Sequence, residues 1–255
     1  MIKISRIISE FDKYISSCKP IDRLAVFHST KLRHAEEILN TGLIIPQKID
    51  NYDKESSFLF YGRASYPING KGISDNYPVC FIFKPTIFDL DKVYPFDSGA
   101  FISGRYKGFV NEVEQLSDFQ LEPDYDYVSR FINFFYTSKD KYRQGRYNVN
   151  NIDMLKFNDY LLNAYARIIS CPTIDTDHRK NTIEFIVSEP IRIADHIIGI
   201  VMPKELEACD DLMDKINNTY KIKHSSYRTI FNANLVYYFS EIYELASSLA
   251  EELGL

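Results

Sequence analysis

What the chain lacks narrows its class before any motif is considered. It has no tryptophan, and its four cysteines form neither a CxxC pair nor a group with histidine at the spacing of zinc ligands. Four cysteines in 255 residues are too few for a disulfide scaffold. We therefore expect free thiols in a reducing compartment and no metal site. The cysteines are Cys18, Cys80, Cys171 and Cys209.

The sequence also lacks a long hydrophobic run. No stretch approaches the roughly 20 apolar residues that a membrane span needs. The basic residues near the start are followed by Glu10 and Asp12 instead of the apolar core of a signal peptide. The sequence therefore predicts a cytoplasmic protein that does not associate with a membrane. Its net charge of −5 argues against a protein that binds nucleic acid through a predominantly basic surface.

Aromatic residues are what the chain has in excess, with 19 Tyr and 18 Phe. Such rings either pack a sheet core or line a ligand groove, and both readings stay open. The 45% apolar and 25% charged residues are ordinary for a globular protein. No repeat or low-complexity linker divides the sequence, so we predict one domain over residues 1–255.

Short apolar runs and turn residues alternate at the start of this domain. An apolar-periodic helix is expected over residues 2–16, and residues 24–28 (LAVFH) form a short apolar run typical of a buried strand. Ser29 and Thr30 are expected to cap a helix over about 31–40, with Gly42 as its stop. A second strand follows at 43–46.

Further strands are expected on both sides of a helical insertion over about 112–170. Helices over about 204–252 are expected to end the chain, in two segments at 204–217 and 229–252. Strands and helices in this arrangement predict an α+β fold. The remaining strands are predicted at 58–61, 79–83, 182–187 and 197–202.

Three polar residues interrupt these strands. His28 ends an apolar strand before a helix start, where sugar hydroxyls and anions are readily held, or else it is a hydrogen-bonded core histidine. Glu184 stands between two apolar residues, so it either faces water from an edge strand or is buried for a purpose. Tyr61 precedes Gly62, which lets a flat ligand approach the ring, although a core role is the simpler reading.

In order, three segments resemble the ADP-ribosyltransferase-like superfamily: FHSTKLRHAEEILNTGLIIP, FLFYGRASY and NTIEFIVSEPIRIADHIIGIVMP. They cover roughly residues 20–105 and 170–204. The set of His28, Tyr61 and Glu184 is similar to the branch that includes poly(ADP-ribose) polymerases and diphtheria-type toxins. The resemblance implies a split β-sandwich with a helical insertion and flanking helices, and NAD as a substrate without a metal.

The resemblance also implies roles for these residues. His28 would bind the adenosine ribose, supported by Ser29 and Thr30, while neighbouring backbone would hold the nicotinamide amide. Tyr61 would stack on the nicotinamide ring, and Glu184 would bind the nicotinamide ribose beside an oxocarbenium-like transition state. Two further candidates rest on position alone. Arg63 is placed to meet a pyrophosphate or to order Glu184, and Asp97 either lines the site or builds a turn.

Three functions follow as hypotheses. The first is transfer of ADP-ribose from NAD to a protein or nucleic acid, by a bacterial toxin or phage-defence effector that an antitoxin or immunity protein would restrain. The second is NAD hydrolysis on the same scaffold, and the third is a non-catalytic binding module. Basic residues around Tyr142 and Tyr147 either grip single-stranded nucleic acid or belong to a solvated loop. They are Lys139, Lys141, Arg143 and Arg146.

Overall fold

The computed structural model describes residues 10–50, 52–65, 76–85, 89–148, 160–171 and 178–255. The chain divides into two compact units. The helical unit comprises Met1–Asp22 and Tyr94–Asn181, and the sheet unit comprises Arg23–Val93 and Thr182–Leu255. The protein is a mixed α+β protein with a mostly antiparallel sheet, which confirms the predicted class at this level. Among the described residues, no helix is long and apolar enough to cross a membrane.

The helical unit is built around aromatic side chains. Asp124 accepts a hydrogen bond from the backbone N–H of Tyr127 at 2.7 Å and so caps a twelve-residue helix, which ends where Thr137 turns into the left-handed region. The buried stripe of this helix includes Phe131 and Phe135, whose rings lie in contact with Phe11 of the first helix. The helices of this unit are α1 (Glu10–Ser17), α3 (Ser98–Ile102), α4 (Tyr125–Tyr136), α5 (Lys139–Arg143) and α6 (Tyr160–Ser170).

The sheet unit contains a seven-stranded sheet with the order β5-β6-β3-β1-β4-β8-β9. The ladders β1–β3, β1–β4, β3–β6 and β4–β8 are antiparallel, and β8–β9 is parallel. A two-stranded sheet joins β2 to β7. The strands are β1 (Val26–Lys31), β2 (Leu43–Ile44), β3 (Ser57–Tyr61), β4 (Pro78–Phe83), β5 (Lys92–Tyr94), β6 (Ile183–Val187), β7 (Ile191–Arg192), β8 (Ile197–Pro203) and β9 (Lys223–Tyr227).

The described residues of the sheet unit also include three α-helices: α2 (Leu32–Thr41), α7 (Asp210–Asp214) and α8 (Tyr238–Glu252). α2 ends as predicted, because Gly42 adopts a left-handed φ of 74° and its N–H bonds to the carbonyl of Ile38. α8 packs on one face of the sheet. A methyl group added at Gly199 of β8 would meet the side chain of Leu249 at 3.0 Å, which shows how closely helix and sheet approach.

Two predictions about these elements are wrong. Ser29 and Thr30 do not cap a helix. They belong to β1, which continues to Lys31 because its backbone pairs with β4 as far as Pro78. The C-terminal stretch is not purely helical either. α8 begins at Tyr238, and the polar strand β9 precedes it.

The predicted insertion at 112–170 lies within the helical unit, which also includes the first helix and the segment from Tyr94. That the two units form one domain stays a prediction. Parts of the predicted first helix and of the insertion lie outside the described residues.

Candidate functional site

The seven-stranded sheet parts between β1 and β3. The ladder that joins these strands has two residue pairs, Val26 with Tyr61 and Phe27 with Phe60. Beyond that point β1 continues along β4 and β3 continues along β6. His28 is the first residue of β1 past the last pair. The sequence-predicted histidine therefore stands where the sheet opens.

The ring of His28 reaches across this parting. Its Nδ1 lies 2.9 Å from the carbonyl oxygen of Phe58 in β3, and because a carbonyl only accepts, Nδ1 carries the proton. Desolvation by burial lowers the pKa of His28 below its ordinary value of 6.5. The imidazole is therefore neutral at pH 7, and its Nε2 lone pair is an acceptor. Such a group suits a hydroxyl donor such as that of a ribose.

Glu184 lies in the middle of β6, which has β5 on one side and β3 on the other. The alternative of an edge strand with Glu184 facing water is therefore wrong. The residue is 2% exposed, and its partner in the ladder is Phe60. Burying a carboxylate among strand residues is costly, so its presence requires a compensating role in structure or chemistry.

Tyr61 lies on the opposite face of the sheet from Glu184. Cross-strand partners share a face, and Tyr61 is paired with Ile183, whereas Glu184 is paired with Phe60. The ring of Tyr61 stacks on Phe185 at 4.9 Å between centroids. Its hydroxyl accepts a hydrogen bond from the backbone N–H of Leu24 at 3.1 Å, and the residue has no exposed surface. Stacking of this ring on nicotinamide stays a prediction.

Phe60 is the aromatic residue that sequence reasoning missed. It shares the face of Glu184 and belongs to the apolar cluster that α8 covers. The sequence held a signal for it, because alternation puts residues 60 and 61 of one strand on opposite faces. Only the register between β3 and β6 decides which of the two accompanies Glu184.

Ser29 and Thr30 follow His28 on the same strand, and both are half-buried. The Ser29 side chain hydrogen-bonds to Cys80, its partner on β4. Burial raises the pKa of Cys80 to about 12, so this thiol stays protonated and is no nucleophile at neutral pH. Support of a bound ribose by Ser29 or Thr30 stays a prediction.

Arg63 follows Tyr61 after a turn at Gly62, whose φ is 71° and whose N–H bonds to the carbonyl of Ala25. The Arg63 side chain is 1% exposed, and its guanidinium carbon lies 5.6 Å from the ring centroid of Tyr243 on α8. This cation–π contact fixes the guanidinium inside the sheet unit. Its roles toward a pyrophosphate or Glu184 stay predictions.

Asp97 belongs to the helical unit and has a structural task there. Its Oδ1 accepts a hydrogen bond from the backbone N–H of Ala100 at 2.6 Å, which caps α3. Its own N–H bonds to the carbonyl of Arg179 at 3.1 Å. Asp177 and Arg179 closely precede Glu184 in the sequence, which makes them candidates for a loop over the acceptor or for a structural turn or salt bridge, and Asp177 lies outside the described residues.

The basic residues Lys139, Lys141, Arg143 and Arg146 lie beside two tyrosines in the sequence, and one of these two tyrosines is exposed for stacking. Tyr142 has no exposed surface, and its ring packs edge-on against Tyr136. Tyr147 is 38% exposed, and its hydroxyl lies 3.5 Å from the carbonyl oxygen of Ser170. A nucleic-acid grip at this place would therefore rely on Tyr147 alone for stacking.

Within the part of the chain that the structure describes, no group of three or more His, Cys, Asp or Glu side chains is arranged to hold a metal ion. Searches of family models, curated proteins and solved structures find no match to this chain.

Proposed function

We propose that this protein is an NAD-dependent ADP-ribosyltransferase that modifies a protein or nucleic-acid acceptor. One observation carries the proposal. The sheet parts at His28, and a buried carboxylate, Glu184, lies on β6, which pairs with the strand that forms the other side of the parting. By the strand register His28 and Glu184 project from opposite faces of the sheet, with β3 between their strands, so NAD would have to reach both faces at the parting. The split β-sandwich implied by the resemblance is part of this proposal.

Cleavage of NAD would use both Glu184 and His28. NAD holds nicotinamide on a ribose through a C1′–N bond, which breaks with its electron pair leaving on the nicotinamide. The positive charge that develops on the ribose is stabilised by a nearby carboxylate, and more strongly where water is excluded. A nucleophile of the acceptor then bonds to C1′ and loses its proton. Glu184 supplies the carboxylate, and the neutral His28 accepts a hydrogen bond from the other ribose.

The biological setting belongs to the same proposal. Where ADP-ribose is placed on a macromolecule that the cell needs, the modification harms the cell that makes the enzyme unless a partner restrains it. We therefore propose a bacterial toxin or phage-defence effector with an antitoxin or immunity protein as its partner.

The test is NAD turnover by the purified chain with the substitution Glu184→Gln. The amide preserves the size of the side chain and removes its charge. We expect turnover to fall at least about 100-fold, the effect of losing one electrostatic contact to a transition state. Glu189→Gln is the matched control, because Glu189 follows the same strand and is exposed. Full turnover by a folded Glu184→Gln protein would contradict the proposal.

A second measurement separates transfer from hydrolysis. NAD labelled in its adenine half is incubated with the chain and cell extract, and the label is followed into protein, DNA and RNA. Label on a macromolecule supports the transferase. Free ADP-ribose as the sole product would instead identify an NAD glycohydrolase.

A further inference from the structure

The helical unit contains a polar cleft of about 570 Å³ between α6 and the loop over residues 108–111. Its volume lies in the range of about 300–1,000 Å³ that is usual for sites of small ligands. Arg167 and Ser170 of α6 line one wall, and Phe109 and Asn111 line the other, which we call the loop wall. None of the residues assigned to the reaction with NAD lines this cleft, so that reaction leaves its polar groups unexplained.

The two walls of the cleft offer opposite polar groups. Arg167 is exposed, and its Nε donates a hydrogen bond to the carbonyl oxygen of Phe109 at 3.2 Å. Within the described part of the chain its two terminal nitrogens make no hydrogen bond or ion pair, so they are available to an anion. On the loop wall the side-chain nitrogen of Asn111 donates to Glu114 at 2.9 Å, which leaves the amide oxygen of Asn111 as an acceptor. A matching ligand therefore carries an anionic group and N–H donors.

An exposed aromatic ring and a second cation adjoin the cleft. The hydroxyl of Tyr147 lies 3.5 Å from the carbonyl oxygen of Ser170, and 38% of Tyr147 is exposed. Arg146 is exposed, and its side chain makes no hydrogen bond or ion pair with any described residue. The N–H of Asn148 donates to the carbonyl of Phe135 at 2.8 Å, which fixes this segment to α4. The ring and the cation are therefore presented beside the cleft without a large ordering cost on binding.

Cations and carboxylates are unevenly distributed around the cleft. Residues 139–146 contain four cations and a single carboxylate, that of the exposed Asp140. Asp22 brings a second carboxylate to this segment, at 3.9 Å from Lys139. Glu112, which is exposed, and Glu114, which is buried, instead continue the loop wall. Anionic groups of a ligand are therefore favoured beside the exposed ring, and N–H donors beside the loop wall.

A nucleotide combines these features, because its phosphate is anionic and its base carries N–H donors and a face that stacks on an aromatic ring. We propose that the cleft, Arg146 and Tyr147 bind a single-stranded nucleic acid. One nucleotide occupies the cleft with its phosphate on Arg167, and the next base stacks on Tyr147 with its phosphate on Arg146. A duplex keeps its bases stacked on each other and leaves none for the ring. On the proposed function this strand is the acceptor of ADP-ribose, whereas its binding needs no NAD.

Fluorescence anisotropy of labelled oligothymidylate and oligouridylate with the purified full chain tests this proposal. Strands of about 12 nucleotides match the site sizes of single-strand binders. We expect the wild-type chain to bind, and Arg146→Glu/Arg167→Glu to raise the dissociation constant at least about tenfold. The slope of its logarithm against the logarithm of salt concentration should fall by about 1.4, since each phosphate contact on a single strand contributes about 0.7. The matched control is Arg192→Glu/Lys204→Glu, which makes the same charge change on two exposed residues of the sheet unit.

The stacking ring is tested by its own pair of variants. Tyr147→Ala should raise the dissociation constant about fivefold or more, the effect of losing one stacked base. Tyr147→Phe keeps the ring and should bind as the wild-type chain does. Tyr14→Ala is the matched control, because Tyr14 is 40% exposed on α1 of the same unit. Thermal unfolding of each variant verifies that it is folded.

The competing outcomes are distinct. Failure of the wild-type chain to bind either strand at low salt overturns the proposal, as does an equal loss of affinity in the charge-reversal control. A polyglutamate peptide that displaces the labelled strand as well as an unlabelled strand does would overturn it in favour of a general polyanion site. Equal displacement by a mononucleotide would overturn it in favour of a free nucleotide. All of these assays omit NAD, so a failure here is distinct from a failure of the proposed activity.

Discussion

The helical unit and the sheet unit bury carboxylates in different settings: among the described residues of the helical unit, Asp12 of α1 accepts a hydrogen bond from the hydroxyl of Tyr127, and two other carboxylates lie at the ends of short turns. In the helical unit Asp97 caps α3, and Glu114 accepts hydrogen bonds from the backbone N–H and the side-chain amide of Asn111. Both carboxylates satisfy groups at the ends of short turns, where backbone N–H groups have no partner in a ladder or helix. In the sheet unit Glu184 lies in mid-strand, where the ladders already satisfy the backbone.

This difference separates two reasons for burying a charge. A carboxylate at a helix start is explained by the backbone that it caps. A carboxylate in the middle of a strand is not explained in this way. The free-energy cost of burying its charge has to be offset by another interaction or by a function. The comparison therefore favours Glu184 over Asp97 as a residue of the site, although the sequence offered both as candidates.

Tyr61→Leu should give the largest effect on stability. The substitution removes a ring that is stacked on Phe185 and the oxygen that accepts the N–H of Leu24. We expect the free energy of unfolding in urea to fall by about 2–3 kcal/mol, because a buried N–H loses its partner and aromatic packing is lost. The KM for NAD should stay near the wild-type value, since the ring of Tyr61 is fully buried and stacked on Phe185. A large rise in KM without loss of stability would support the nicotinamide-stacking role instead.

Asp97→Ala should have an intermediate effect on stability. It tests whether Asp97 serves the helical unit by capping α3. Loss of the cap should lower the free energy of unfolding by about 1–2 kcal/mol. Asp97→Asn keeps a capping oxygen and should retain most of that stability, together with NAD turnover. If Asp97→Asn abolishes turnover in a stable protein, Asp97 belongs to the reactive site and the contrast between the units fails.

His28→Gln should give the smallest effect, visible in the pH dependence of stability. The pKa of His28 is lowered in the folded state, so the unfolded chain binds the proton first as pH falls. The contribution of His28 to the wild-type free energy of unfolding should therefore be complete above a pH of about 6.5, and it should decline as the pH falls below that value. His28→Gln should lack this part of the decline in urea titrations between pH 7 and 5. Identical slopes for the two proteins would show that the ring is not desolvated.

Much of the sheet could be predicted, because its strands are short apolar runs. The strands predicted at 58–61, 79–83 and 182–187 match β3, β4 and β6 to within one residue at each end, and Gly42 ends α2. The extension of β1 through Ser29 and Thr30 could not be predicted, since those residues carry no apolar signal and are held by pairing with β4. β9 was missed for the same reason, as its sequence KHSSY is polar.

The residues of the candidate site could be chosen from the sequence, but their arrangement could not. Alternation within β3 indicates that Phe60 and Tyr61 face opposite ways, yet no local pattern says which of them accompanies Glu184. That depends on register with β6, a strand more than 120 positions further along the chain. Likewise, the place where β1 and β3 part is a property of the sheet and of no single segment.

The parting has a consequence for what the sheet can recognise. Along a strand, alternate backbone N–H and C=O groups point to either side, so beyond Phe27 those of β1 that point away from β4 face the gap. This side of β1 is a strand edge that lies inside the fold. Its backbone N–H and C=O groups can form hydrogen bonds with amide groups as those of a neighbouring strand would. The carboxamide of nicotinamide has the donor and acceptor of a peptide group. On the proposed function, the chain would thus identify its substrate partly through main-chain atoms, which no side-chain substitution can remove.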